Sequence, residues 1–172
     1  TPTKSSAASD VYKRQSKTAY TGFLIFLRLL KSQKIALITT GGDHLVTLSI
    51  LRALSGDGPV GLIQFDSHTD LFDSYFGGQK FTHGTPFRRV IEEGLVDPQR
   101  FVQIGIRGTA YNLEDINWGL EQGIRIIRIE ELFDRGIAHV MAEVREIVGD
   151  KLTYCSYDIC LLYTSPSPRD GD

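Results

Sequence analysis

The chain has 172 residues, 41% hydrophobic and 23% charged, which is enough for one domain with its own core and carries no disordered or fibrous bias. A net charge of -2 and a pI near 6.1 give no electrostatic reason to expect nucleic acid or an anionic membrane as partner, and point to a small molecule instead. The most apolar stretch, Phe23 to Leu30, contains Arg28 and falls far short of the roughly 20 apolar residues of a membrane span.

Helix-like and strand-like segments alternate from about residue 17. A helix is expected over Thr18 to Ser32; its apolar core reads as buried, not as a signal peptide, because no A-x-A-like site follows. A strand over Ile35 to Thr40 is broken by Gly41-Gly42, and a helix over Val46 to Leu54 leads through Ser55-Gly56-Asp57-Gly58 to a strand ending at Phe65. A loop rich in glycine and aromatics then leads to a helix over Pro86 to Glu93, with Gly94 where a C-cap belongs. Further strands are expected over Phe101 to Arg107, Ile124 to Ile129 and Leu152 to Ile159, with helices over Leu113 to Gln122 and Ile137 to Val148 between them. Short apolar strands joined by helical crossovers predict an α/β fold, a three-layer αβα arrangement with a mainly parallel sheet. Cys155 and Cys160 stand at an odd offset along the last strand and so face opposite ways, which argues against a mutual disulfide and fits a reducing cytoplasm.

Both ends read differently. Residues 1–15 are polar without an apolar period, and Ser165 to Asp172 has the composition of a disordered tail. The two ends, 1–15 and 160–172, resemble tails found on unrelated translated metagenomic fragments, so residues 16–159 are expected to be the native segment, cut at both sides.

The most informative feature is Asp66, His68 and Asp70, at i, i+2 and i+4 directly after the apolar run Val60 to Phe65. If the chain stays extended there, alternate side chains point to one face and three metal-binding groups converge at the carboxyl end of a strand. Ligands of parallel sheets bind beyond that end, where His44 and Asp158 also fall. Two metals sharing carboxylates would use all five groups, and one metal only part of them.

Gly41-Gly42-Asp43-His44, Asp66-Ser67-His68-Thr69-Asp70 and Ser156-Tyr157-Asp158 resemble the three metal motifs of the ureohydrolases, the arginase and agmatinase family. His83-Gly84-Thr85-Pro86-Phe87-Arg88-Arg89 and Val102-Gln103-Ile104-Gly105-Ile106-Arg107-Gly108 are most similar to the agmatinase branch. The resemblance implies a partial catalytic domain over 16–159, with one Mn(II) held by His44, Asp66, Asp70 and Asp158 and a second by Asp66, His68, Asp158 and residue 160. It implies hydrolysis of the guanidinium group of agmatine to putrescine and urea by water activated between the two ions. His83 would shuttle a proton, Asp70 counts among the catalytic residues as well as the ligands, and Asp43 would orient a neighbouring ligand or the turn. A homo-oligomer, trimer or hexamer, is also implied. The family's third motif ends in Asp where this chain has Cys160, a softer ligand expected to weaken the second site. The family's later segment, with a glutamate for the guanidinium group, has no counterpart, so this chain by itself is expected to be inactive.

Several of these residues admit other readings. A lone Gly-Gly-Asp-His is more often a turn than a ligand motif, and His83 could instead cap the following helix. His139 reads as a surface or core-edge residue, and Trp118 as packing. Glu114, Asp115, Glu130 and Glu131 read as solvated helix faces or helix-start charges. The competing functions are hydrolysis of guanidinobutyrate or guanidinopropionate, a single-zinc deacetylase, and a catalytically inactive homologue that binds partners.

Overall fold

The computed structural model describes residues 22, 24–33, 35–108 and 113–159. In chain order the elements are α1 (Val46–Leu54), a 3-10 turn (Ser55–Asp57), β1 (Val60–Phe65), α2 (Pro86–Glu92), β2 (Val96–Ile106), α3 (Leu113–Gln122), β3 (Arg125–Arg128), α4 (Ile129–Arg135), α5 (Ile137–Val148) and β4 (Thr153–Tyr157). The strands form one sheet in the order β3-β2-β1-β4, and every pairing is parallel. β1, β2 and β3 are each followed by a helical crossover, the short route back to a parallel start.

The period of two along each strand divides the apolar side chains between two faces. Leu62, Phe101 and Ile126 join Leu48, Leu51, Phe87 and Val90 of α1 and α2 on one face. Val102, Ile104 and Ile127 meet Val140, Val144 and Val148 of α5 on the other. The result is an α/β fold of three layers, as the alternation of segments predicts. Burying side chains such as Phe87, Phe101 and Leu62, each at 0% exposure, contributes about 1.5–3 kcal/mol apiece. Among the described residues no helix is long and apolar enough to cross a membrane.

Four expectations differ from the structure. Residues 35–40 pair with no strand; Leu37 reaches the cluster of Leu27, Ile50 and Ala53, but Ile35 and Ile38 are exposed, at 51% and 93%. An apolar run supplies side chains for a strand, whereas a ladder also needs a neighbour, and among the described residues β4 pairs with β1 alone. The apolar helix before that segment, described over 24–32, buries Leu27 but leaves Ile25, Phe26 and Leu29 exposed, so it lies on the surface with one face inward. β2 begins at Val96, earlier than Phe101, because β1 advances from Val60 to Leu62 while β2 advances from Val96 to Phe101, an irregularity that accommodates Pro98. Finally, a short helix, α4, follows β3 directly, with Glu130 and Glu131 in its first turn.

Candidate metal centre

β1 and β4 run in register with Phe65 beside Tyr157, so the next residue of each, Asp66 and Asp158, emerges from adjacent strands at the carboxyl edge of the sheet. The Asp66 N–H donates to Ile104 O at 3.1 Å and the Asp158 N–H to Phe65 O at 3.0 Å, which ties both backbones to the ladder. His44 arrives from the other direction. Gly41 and Gly42 have φ of 98° and 77°, a left-handed pair that turns the chain into α1 and that residues with a Cβ rarely adopt. Asp43 serves this turn, its Oδ1 accepting the Leu45 N–H at 2.9 Å. The His44 ring then packs edge-on against Phe87, with centroids 4.9 Å apart.

The chain does not remain extended through the motif after β1. The strand ends at Phe65, and Asp70 has a left-handed φ of 49°, an uncommon conformation for a residue with a side chain. Convergence therefore comes from a curled loop, not from strand alternation. Ligand atoms of His44, Asp66, Asp70 and Asp158 all lie within 4.8 Å of one another. His44 Nδ1 stands 2.7 Å from Asp70 Oδ2 and 3.3 Å from both Asp66 Oδ2 and Asp158 Oδ2. His68 sits to one side: its Nδ1 is 3.7 Å from Asp66 Oδ1 and 3.1 Å from Ser67 Oγ.

Burial alone would lower the pKa of His44, but hydrogen bonds to Asp66 and Asp70 overcome it and raise it to about 10. Burial likewise disfavours ionised Asp66, yet hydrogen bonds from His44 and His68 outweigh it and hold that carboxyl well below its ordinary range. Burial pushes Asp70 up, and the hydrogen bond to Asp66 raises His68. Three carboxylates thus converge where one positive charge is supplied by a proton on His44. A divalent cation satisfies the same set more fully, and oxygen donors with one imidazole suit a hard or borderline ion.

Of the other residues singled out, His83 is exposed and packs edge-on against Tyr75 and at a tilt against Phe76, with centroids 5.6 Å away in each case. No described hydrogen bond joins it to the cluster. Cys160 lies outside the described residues, and Cys155 is a free, exposed thiol. His139 is exposed, and Trp118 packs at the edge of the core with Arg88 3.8 Å over its ring. Ser156 and Gly108 lie within the sequence motifs, and their individual roles emerge from tertiary contacts. Ser156 Oγ is 2.8 Å from His44 Nε2, and a Cβ at Gly108 would stand 2.9 Å from His68 Nε2. The position of Ser156 two residues before Asp158, on the same strand face, was the available signal.

The description of the arginase family matches residues 12–168, and the chain belongs to that family. It is 50% identical over 134 residues to the guanidinopropionase of Pseudomonas aeruginosa, covering 78% of this chain and 42% of the relative. It is 44% identical over 135 residues to the mitochondrial agmatinase of Gallus gallus, covering 78% and 38%. Among solved structures, the proclavaminate amidino hydrolase of Streptomyces clavuligerus matches with a TM-score of 0.62 at 37% identity, over 69% of this chain and 38% of that one. The chain spans about two fifths of the length of the curated relatives it matches.

Proposed function

We propose that the protein to which this chain belongs is a binuclear Mn(II) amidinohydrolase that cleaves a linear guanidino compound to an amine and urea, with agmatine, yielding putrescine, as the leading substrate. The observation that carries this reading is the cluster of His44, Asp66, Asp70 and Asp158 at the carboxyl edge of a parallel sheet, in a chain of the arginase family. Two Mn(II) ions, when bound, would lower the pKa of water from about 15.7 toward 7 and so make it competent to attack a resonance-stabilised guanidinium carbon.

In this reading His44, Asp66, Asp70 and Asp158 hold the first ion. Asp66, His68, Asp158 and the residue at 160 hold the second, with Asp66 and Asp158 shared, and a sulfur at Cys160 weakens that second position for a hard ion. His83, on the exposed loop between β1 and α2, carries a proton between solvent and the leaving amine. Within the family match over 12–168, residues 16–159 form part of the catalytic domain in this reading, and the activity belongs to the complete protein. The complete protein is a cytoplasmic homo-oligomer, trimeric or hexameric.

A second substrate reading, a guanidino acid such as 3-guanidinopropionate, is favoured by the 50% identity to a guanidinopropionase. Both readings share the centre and differ in the charge at the far end of the substrate. The test is urea release by the complete protein from agmatine, 3-guanidinopropionate and 4-guanidinobutyrate. Preference for agmatine supports the leading reading, preference for either acid replaces it with the second, and no urea from any of the three overturns the activity.

A further inference from the structure

Behind the loop from Asp66 to Asp70, two glutamines stand on the sheet face that carries the apolar cluster of Leu62 and Phe101. Gln64 and Gln103 are register partners in β1 and β2, both at 0% exposure, on the face that carries Leu62 and Phe101. A buried amide is costly unless its hydrogen bonds are made, so the partners of these two are informative. Gln103 Nε2 donates to Gln64 Oε1 and to Thr69 O, both at 2.6 Å. Gln64 Nε2 in turn donates to Asp66 Oδ2 at 2.9 Å and to His68 O at 3.0 Å. The other oxygen of Asp66, Oδ1, accepts the His68 N–H at 2.9 Å. The amide orientation follows from the acceptors, since a flipped Gln64 would set its oxygen against a carboxylate and a carbonyl.

We infer that Gln64 and Gln103 form a two-amide relay that positions Asp66 and the loop through Asp70 for metal, and so sets the affinity of the centre. The inference rests on the metal-centre reading given above. Two observations separate it from simple packing. Gln103 Oε1 is buried with no hydrogen-bond partner among the described residues, so an apolar pair would fill the same space without that loss. The two carbonyls the relay holds, of His68 and Thr69, immediately precede Asp70, whose left-handed backbone persists only where its surroundings enforce it. Gln64 and Gln103 are positioning residues that act through Asp66 and the loop carbonyls.

The test is calorimetric titration of Mn(II) into the metal-free complete protein, comparing wild type, Gln64→Met, Gln103→Met, the double variant and Ile127→Val as a core control. Each glutamine variant is expected to raise the Mn(II) Kd by about 10- to 100-fold, as loss of groups that orient metal ligands typically does. The double variant should lose less than the sum of the two single losses, because Gln103 acts partly through Gln64 and partly through Thr69 O. Ile127→Val should lower the melting temperature with the Kd unchanged. A Kd within about twofold of wild type in folded variants, or losses that simply add, overturns the relay and leaves the centre standing. Absence of Mn(II) binding by wild type overturns the centre and the relay together. Should the methionine variants fail to fold, Gln103→Glu keeps the side-chain shape and carries the same expectation. Amide hydrogen exchange over residues 66–70 then reads loop release directly, and unchanged exchange and Kd count against the relay.

Discussion

Ser156 Oγ lies 2.8 Å from His44 Nε2, joining residues 112 positions apart, while Nδ1 of the same ring faces Asp70 at 2.7 Å. A ring nitrogen that donates to a fixed acceptor leaves the other to the metal, so Ser156 sets both the orientation of His44 and its metal-binding tautomer. Ser156→Ala should leave the fold intact and weaken Mn(II) binding by about tenfold or more, read by calorimetry. An unchanged Kd would show that the carboxylates and Phe87 hold the ring without Ser156.

Gly108 is the close neighbour of His68. Its N–H donates to Ser67 O at 2.7 Å, and a Cβ there would stand 2.9 Å from both His68 Nε2 and Ser67 O. Gly108→Ala must therefore displace the imidazole or the loop, at a cost of about 1–3 kcal/mol. In a chain carrying Cys160→Asp, bound Mn should fall from two per chain toward one, because the proposed second ion takes His68 and the proposed first ion takes His44. Metal analysis after desalting checks this, and retention of two ions would separate His68 from the second site.

Metal should also stabilise the fold. The cluster joins the turn before α1 to the ends of β1 and β4, so an ion bound there links segments far apart in sequence. At a free Mn(II) concentration about 100 times Kd, linkage predicts about 2.7 kcal/mol of added stability. Differential scanning calorimetry with and without a chelator measures it, and a melting temperature indifferent to Mn(II) counts against a native site.

A pH effect is expected away from the centre. Arg125 of β3 bonds Glu131 of α4 and, through Nε at 2.6 Å, Glu143 of α5, and Arg135 bonds Glu131 at 2.7 Å. The Arg125 hydrogen bonds hold both carboxyls below their ordinary value of 4.5. Because the folded pKa values are depressed, the stabilisation is present above about pH 4.5 and is lost as pH falls through the folded values. The urea midpoint should decline below about pH 4.5, and Glu131→Gln with Glu143→Gln should flatten that decline.

The alternation of short apolar runs with helical periods was enough to predict a three-layer α/β fold, because periodicity depends only on which residues follow one another. His44, Asp66, Asp70 and Asp158 were legible for a related reason: each follows or closes an apolar run, where a parallel sheet exposes its ligands. How they meet depended on tertiary structure. Asp66 and Asp158 are neighbours because β1 and β4 pair in register, and Asp70 turns inward through a left-handed backbone where strand alternation was expected. Residues 35–40 have the composition of a strand but no partner, and pairing is a property of the neighbour as much as of the segment. Ser156, Gly108, Gln64 and Gln103 act through contacts between distant segments, and single-chain patterns do not encode such contacts. Composition and local period determined the layers and the ligand types; strand register and loop curvature decided which of those side chains share a centre.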